Sequence, residues 1–306
     1  MINPVFFDAA VFASLLVLLS LGLTLTYLTT KVPNFAHASF ATLGVYMTLI
    51  ASRVWETNPY LAVPVAFVLS GAVAVALYTF ILKPLAKRGA TDAIQMIATL
   101  AFDMVLIAGL NILADYLTET FRVKSREFTL RSFDLEFMDL PMIVTVAPIA
   151  VAVIGIALYL MLKKTKFGIA VRASTENPDL SGTVGINVNA VYTIAWWIAG
   201  GLAGVAGALM ALWFLGDPNL GPLLIPSIFA ASIAGGFTNI FGAVAGGLLV
   251  GLAEVLGTRF LAGELGSWLI AYRPLIPLII IAVTLMFAPR GIAGVNWSKI
   301  RSRIWR

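Results

Sequence analysis

The chain has 306 residues, of which 60% are hydrophobic and only 11% are charged, and its mean hydropathy is +0.96. This composition excludes an ordinary soluble domain, and the absence of cysteine excludes a disulfide framework and thiol chemistry. The net charge of +5 comes from lysines and arginines at the edges of apolar segments, which indicates a membrane protein rather than a nucleic-acid-binding one.

Apolar segments long enough to cross a hydrocarbon core of about 30 Å recur along the chain. They predict an all-α, polytopic membrane protein with a single transmembrane domain over residues 1–306. The eight predicted spans lie near 9–30, 33–52, 61–82, 93–116, 141–162, 190–215, 239–258 and 268–288. The first is no ordinary signal peptide, because residues 1–8 contain no Lys or Arg. The shorter apolar piece 223–235 is predicted to be a re-entrant half-helix, followed by a break at "AGGFTNIFG" (234–242).

Lysine and arginine are concentrated in three segments, 83–88, 163–172 and 290–306. The positive-inside rule places all three in the cytoplasm. Counting the spans then puts the N-terminus outside and the C-terminus inside, in the plasma (inner) membrane.

The loop 117–140 is slightly acidic and is therefore predicted to be external. Its apolar residues nearly alternate with polar ones from Phe128 to Phe137, which predicts a small hairpin near 126–137, with an irregular loop as the alternative. The same loop and the turn "GDPNLGP" (216–222) are polar and external, so we expect both to meet an external partner.

Glycines four residues apart occur in "GGLAGVAG" (200–207) and "GAVAGGLLVG" (242–251). This spacing predicts close helix–helix packing rather than a ligand site. The heptapeptides "PNFAHAS" (33–39) and "PSIFAAS" (226–232) share a pattern, which suggests an inverted repeat, and coincidence is the alternative.

The stretch "STENPDLSGTVGIN", inside the cytoplasmic loop 163–189, carries the marks of one short helix. Asn177 is a preferred N-cap, Pro178 suits the first helical position, and Asp179 suits the first turn, where the helix dipole favours an anion. Gly185 suits the left-handed residue that ends a helix. A short cytoplasmic helix on a polytopic protein is a docking element for a partner subunit, and a solvated loop is the alternative.

Polar residues form a stripe along the span 93–116, where Gln95, Thr99, Asp103 and, less closely aligned, Asn111 follow the helical period. An ionised Asp103 facing lipid would cost roughly 2.5–3.5 kcal/mol, so it should face protein or water. Together with the breaks at "PNFAH" and "AGGFTN", this stripe predicts a substrate pathway. The candidate lining residues are Asn34, His37, Ser39, Thr99, Asp103, Thr238 and Asn239. The alternative is that Asp103 pairs with a neighbouring helix or subunit and touches no solute.

No site for energy conversion or catalysis is visible in the sequence. There is no G-x-x-x-x-G-K-[ST] loop, so ATP would have to be bound and hydrolysed on another chain. His37 is the only histidine, which leaves no metal-ligand cluster, and no nucleophile elbow is present. We therefore expect neither an enzyme nor a cofactor in this chain. An ion-coupled secondary transporter that uses Asp103 or Glu254 is an alternative.

Five segments in order resemble the permease subunits of branched-chain amino acid ABC importers (the LivH type) over nearly the whole chain. They are "GLTLTYLTTKVPNFAHASFATLGVY", "FGIAVRASTENPDLSGTVGINVNAV", "DPNLGP", "AASIAGGFTNIFGAVAGGLLVGLAEVL" and "FAPRGIAG". Three positions depart from the family pattern: Ala38 and Ser39 stand where Gly and Glu are common, and Asp103 stands where a small residue is usual. Because relatives of the family carry urea or short amides, these departures leave that substrate class as an alternative.

The resemblance implies an importer for branched-chain or other hydrophobic amino acids. It implies that 174–186 holds the coupling helix, with Glu176, Asn177, Pro178, Asp179 and Gly185 shaping the part that docks on the nucleotide-binding subunit. It further implies two ATPase subunits, a second permease subunit that is identical or homologous, and an external solute-binding protein.

Overall fold

The computed structural model describes residues 4–137 and 140–294. In this part of the chain, α-helices make up nearly all of the regular structure, which confirms the predicted all-α class. The helices are α1 Pro4–Thr30, α2 His37–Arg53, α3 Ala62–Ala76, α4 Lys83–Lys87, α5 Asp92–Phe121, α6 Met142–Lys164, α7 Lys166–Glu176, α8 Pro178–Thr183, α9 Val188–Met210, α10 Leu220–Gly235, α11 Ile240–Leu265 and α12 Leu275–Phe287. The π-helical turn Leu77–Leu82 joins α3 to α4. Two short strands, β1 Glu136–Phe137 and β2 Leu140–Pro141, pair antiparallel.

Within the described residues, seven helical segments are long and apolar enough to cross a membrane. The predicted span 33–52 corresponds to α2, which has 17 residues because the chain from 31 to 36 is not helical. The 16 residues of α10 form a helix about 24 Å long, shorter than a hydrocarbon core of about 30 Å. α10 ends at Gly235 and α11 begins at Ile240, so the predicted break is confirmed. The basic residues of the tail beyond 294 lie outside the described residues.

Two helices form the centre of the bundle. The most apolar stretches of α1 and α9 are 72% and 78% buried, whereas those of α5, α6 and the segment Leu275–Gly294, which contains α12, are 17%, 17% and 11% buried. α1 packs against α9 and α11, and α9 packs against α2 and α3. The outer helices therefore leave broad apolar faces for lipid or for another subunit.

Glycines set the closest helix contacts, as their spacing predicts. A Cβ added to Gly207 in α9 would overlap the carbonyl of Ala41 in α2, and one added to Gly246 in α11 would overlap the carbonyl of Ala231 in α10. These backbones approach so closely that only glycine fits between them.

The contacts between loops place them at two opposite ends of the helix bundle. At one end, which we call the N-terminal end, Trp213 Nε1 donates to Asp8 at 2.8 Å and the Arg131 guanidinium stacks 3.8 Å from the Trp213 ring. At the opposite end, the basic end, Lys163 and Arg172 line one hollow with Asn239. The 236–239 break thus lies beside the residues predicted to be cytoplasmic.

The predicted small hairpin lies later in the chain than 126–137, with strands Glu136–Phe137 and Leu140–Pro141. The backbone of Phe128 pairs with Gly216 instead, through two hydrogen bonds of 3.0 and 2.8 Å, and Arg131–Phe133 forms a 3₁₀ turn. Only Glu136–Phe137 pairs locally, with Leu140–Pro141. Phe128 and Leu130 are both buried, so this segment follows a non-local backbone partner and the core rather than its own alternating pattern.

The two heptapeptides that suggest an inverted repeat have different local structures. The first covers the irregular chain from 33 to 36 and the start of α2, whereas the second lies inside α10, with Pro226 in the helix interior. Their similarity therefore gives the inverted-repeat hypothesis no support.

Candidate functional site

The short helix predicted in the loop 163–189 is α8, and its N-terminus has the predicted cap. Asn177 is extended and its side-chain oxygen accepts the Leu180 N–H at 3.0 Å. Pro178 occupies the first helical position and Asp179 lies in the first turn, as predicted. Glu176 ends the preceding helix, α7.

Gly185 ends α8 in a left-handed conformation, with φ +89°. The Gly185 N–H bonds the Gly182 carbonyl at 3.1 Å, and the Ile186 N–H bonds the Ser181 carbonyl at 3.0 Å. This pair of bonds is the Schellman arrangement that closes a helix C-terminus. Both ends of a six-residue helix are therefore held by specific hydrogen bonds.

α8 presents apolar side chains to solvent while one polar residue anchors it. Leu180 and Val184 are 62% and 71% exposed, whereas Ser181 is buried. The segment is joined to the bundle through α7, because the Tyr192 hydroxyl of α9 donates to the Ser174 carbonyl at 3.0 Å and Arg172 donates to the Leu162 carbonyl of α6. The exposed apolar pair was missed by the sequence analysis, although apolar residues in a polar helix are visible in the sequence.

Five of the predicted pathway residues lie buried in the bundle, and three of them make the contacts that join α5 to α2 and the chain before it. The Ser39 hydroxyl donates to Asp103 at 2.5 Å, and Thr99 accepts the Phe35 N–H at 3.2 Å. Asn34 caps the turn before α2 by accepting the Ala36 N–H at 3.1 Å. The polar stripe of α5 therefore faces α2 rather than lipid.

His37 is buried beside this cluster. Its Nε2 lies 3.0 Å from the Leu19 carbonyl, and its Nδ1 has no hydrogen-bond partner among the described residues. Gly22 of α1 lies so close that an added Cβ would be 2.7 Å from the imidazole ring. His37 therefore joins α2 to α1 through a tightly packed polar contact.

The remaining two predicted pathway residues lie elsewhere. Asn239 caps α11 by accepting the N–H groups of Phe241 and Gly242, at 2.9 and 3.2 Å, and Thr238 is exposed at the basic end. The seven predicted residues thus form a buried group and a separate pair at the break before α11.

Glu254, the other carboxylate considered for ion coupling, is buried and already paired. Arg273 Nε donates to its Oε1 and Ser227 donates to its Oε2, both at 2.7 Å. Arg273 also stacks 4.4 Å from the Phe12 ring. Both carboxylate oxygens are engaged, so Glu254 joins α10, α11 and the turn before α12 rather than forming an open ion site. Across 4–137 and 140–294, no cluster of three acidic, His or Cys residues is arranged to hold a metal ion.

Asn111, the fourth residue of the stripe, belongs to a network at the N-terminal end. Arg126 donates to Asn111 at 2.8 Å and to Asp115 at 2.8 and 3.1 Å. Hydrogen bonding to the Asp115 carboxylate raises the pKa of the Arg126 guanidinium above its ordinary value. This network ties the loop after α5 back onto that helix, and Asn111 therefore lies apart from Asp103.

Comparison with known proteins identifies the family. Residues 5–288 match the family described as "Branched-chain amino acid transport system / permease component". The chain is 44% identical, over 96% of its length and 93% of the relative's, to a probable branched-chain amino acid transport permease protein LivH of Methanocaldococcus jannaschii. It is 26% identical to the high-affinity branched-chain amino acid transport system permease protein LivH of Escherichia coli, over 94% of each chain.

Two further matches differ in extent. A nucleoside ABC transporter permease protein, NupC of Lactococcus lactis, is 31% identical over 48% of this chain and 49% of its own. Among solved structures, a chain of PsaBC from Streptococcus pneumoniae in complex with Fab shares the fold, with a TM-score of 0.51 and 13% identity over 94% of each chain. The match over 284 positions, from 5 to 288, and the 44% identity carry the assignment. This chain therefore belongs to the family of permease components of branched-chain amino acid transport systems.

Proposed function

We propose that this permease carries branched-chain or other apolar amino acids across the plasma membrane, driven by ATP that two partner subunits hydrolyse. A second permease subunit, identical or homologous, completes the pathway, and an external solute-binding protein delivers the substrate. The relatives named for branched-chain amino acid transport support this substrate class. The broad apolar faces of α5, α6 and α12 support a second subunit in the membrane.

The observation that carries the coupling role is the exposed apolar pair on α8. Leu180 and Val184 project from a helix whose two ends are already fixed, so docking would cost little conformational entropy. Apolar residues held in place and exposed to water are typical of a protein–protein contact. Glu176, Asn177, Pro178, Asp179 and Gly185 shape this surface, and the ATPase subunit covers it.

Movement of α8 reaches the bundle through two hydrogen bonds. Ser174 accepts from Tyr192 of α9, and Leu162 of α6 accepts from Arg172 of α7. α9 is the most buried of the spanning helices in the described residues. A displacement of α8 by the ATPase would therefore act on the central helix α9 as well as on the outer helix α6.

The N-terminal end faces outward in this proposal, and the solute-binding protein docks there. Asp134 is engaged already, because it accepts from the Tyr60 hydroxyl at 2.6 Å and from the Ile143 N–H at 3.1 Å. Glu127, by contrast, is exposed and has no ion-pair partner in the described part of the chain. Reversal of the Glu127 charge is the cleaner test of docking, with the loss expected to be larger at low salt.

Substrate passes the buried group around Asp103. The carboxylate meets the ammonium of the amino acid when the helices separate, and Asn34, His37, Ser39 and Thr99 supply the other polar groups of this part of the pathway. Thr238 and Asn239 line its opening at the basic end. In this conformation the Ser39 hydroxyl donates a hydrogen bond to the Asp103 carboxylate, so the proposed pathway is closed at this point.

The coupling proposal is tested by replacing Leu180 with Asp in the assembled transporter. Because Leu180 is 62% exposed, the substitution removes little packing inside this chain. We expect amino acid uptake by proteoliposomes and copurification of the ATPase both to fall about tenfold or more, since a buried charge without a partner disfavours docking. Leu180→Met keeps the apolar contact and serves as the control.

Wild-type uptake by Leu180→Asp would rule out docking through this surface. Loss of uptake with normal copurification of the ATPase would place the defect in movement rather than in docking.

A further inference from the structure

A hollow of about 630 Å³ opens at the basic end, between α7 and the start of α11. This volume lies within the roughly 300–1,000 Å³ that small-molecule sites occupy. We call it the basic-end hollow. The lining residues that matter here are Leu28, Leu162, Lys163, Arg172, Glu176 and Phe241.

We propose that the basic-end hollow binds an apolar amino acid as a zwitterion, on the side to which transport delivers it. The inference rests on the proposed function and deepens it, because Thr238 and Asn239 of the proposed pathway opening also line this hollow. It is argued from three complementary surfaces of the hollow: a cationic one, an anionic one and an apolar one.

Lys163 and Arg172 form the cationic surface. Lys163 Nζ donates to the Tyr159 hydroxyl at 2.8 Å, and Arg172 donates to the Leu162 carbonyl. Both partners are neutral, and neither cation forms an ion pair with a carboxylate within 4–137 and 140–294. Each retains donors that a carboxylate ligand can use.

The start of α11 adds to this positive field. Residues 239 to 241 line the hollow, and they form the N-terminal end of a 26-residue helix. The helix dipole places partial positive charge there. Because Asn239 already accepts the first free N–H groups, α11 contributes its field, and the direct bonds come from Lys163 and Arg172.

Glu176 supplies the anionic surface, and apolar side chains supply the third. The Glu176 carboxylate is exposed on the same hollow and has no ion-pair partner in the described part of the chain. Leu28, Leu162 and Phe241 line the wall. An anionic lipid headgroup would use the cations but would be repelled by Glu176, whereas an apolar amino acid uses all three surfaces.

Ligand binding in the hollow would restrict the relative movement of α7 and α11, because its walls belong to both helices. Arg172 and Glu176 lie on α7, which leads into the coupling helix, and Phe241 lies on α11, just after the break. A ligand that contacts both favours the arrangement in which they stay together. We therefore expect amino acid accumulated at the basic end to slow further transport.

Binding is tested with radiolabelled L-leucine and the full-length chain in phosphatidylcholine nanodiscs. We expect Lys163→Gln to weaken binding about tenfold, because it removes a charged hydrogen-bond donor. Lys164→Gln is the matched control, since Lys164 is exposed and is the next residue in the chain but does not line the hollow. Leucinol, which lacks the carboxylate, and 4-methylpentanoate, which lacks the ammonium, should compete poorly.

Equal leucine affinity in Lys163→Gln and Lys164→Gln would overturn the inference. Displacement of all leucine by phosphatidylglycerol, with equal competition by 4-methylpentanoate, would identify a lipid site and would also overturn it.

Regulation is tested with the assembled transporter in proteoliposomes that hold leucine in the lumen, on the basic-end side. We expect luminal leucine to reduce the initial rate of ATP-driven uptake at least threefold in the wild type and in Lys164→Gln, and much less in Lys163→Gln. ATP-driven uptake that ignores luminal leucine would overturn the inference and leave the proposed function intact. If no amino acid is taken up at all, the proposed function fails, and the binding measurement still decides whether the hollow is a site.

Discussion

Gly185 and Gly182 allow backbone conformation to be separated from side-chain bulk at α8, the proposed coupling helix. A Cβ added at either position meets nothing within 4 Å, so neither substitution creates a clash. Gly185 has φ +89°, whereas Gly182 lies inside α8 with helical geometry. Replacing each with valine therefore adds the same side chain to two exposed positions that differ in backbone conformation.

The expected magnitudes follow from that difference. Valine at Gly185 costs about 2 kcal/mol, because a β-branched residue is strained at positive φ. Valine at Gly182 is neutral or stabilising by a few tenths of a kcal/mol, because glycine is the poorer helix former. A cost of about 2 kcal/mol corresponds to a roughly 30-fold lower population of the state in which the Schellman hydrogen bonds close the C-terminus of α8.

The assay is the affinity of the nucleotide-binding subunit for the permease in nanodiscs, followed by ATP-driven amino acid uptake. We expect Gly185→Val to weaken docking by up to about 30-fold and to abolish most uptake, with Gly182→Val close to wild type. Equal membrane insertion and melting temperature of both variants is the control. Wild-type docking by Gly185→Val, or equal losses in the two variants, would refute the link between the Schellman closure and coupling.

Three further predictions concern the bundle. Asp103→Asn keeps an acceptor for the Ser39 hydroxyl, so we expect a normally assembled complex whose kcat/KM for amino acid uptake falls at least tenfold; unchanged uptake would make Asp103 a structural residue. Gly207→Ala should destabilise the chain by about 1–3 kcal/mol in a thermal unfolding assay, because the methyl group overlaps the Ala41 carbonyl, whereas Gly109→Ala, with open space around it, should not. Glu254→Gln should lower the melting temperature, and it should do so without altering ion dependence of uptake, because Glu254 serves to hold Arg273.

The ends of α8 could be predicted from the sequence because their determinants are local. Asn177 and Gly185 each act on backbone groups within a few residues, so cap chemistry alone predicts where α8 begins and ends. Helical periodicity likewise predicts that Thr99 and Asp103 share the buried face of α5. These features need no knowledge of the rest of the chain.

The parts that the sequence could not predict depend on distant partners. Phe128 pairs with Gly216 across 88 positions (216 minus 128), and that pairing displaces the local hairpin that the alternating pattern predicts. The sequence predicts both Ser39 and Asp103 as pathway residues, but their mutual hydrogen bond depends on the packing of α2 on α5. The role of Arg273 at Glu254 carries no local signal at all, because the two residues come together through the turn between α11 and α12.

The central position of α1 has a consequence for how the chain is made. α1 leaves the ribosome before the other described helices, but the Ser20 hydroxyl donates to the Ala243 carbonyl, 223 residues later. At about 5–20 residues per second, synthesis of that interval takes roughly 10–45 s. During this time Ser20 and its apolar neighbours can contact only lipid, the insertion machinery or the helices synthesised before α11. The native neighbours of Ser20 on α11 are synthesised late, so the bundle assembles from its centre outward only if α1 is sheltered until α11 enters the membrane.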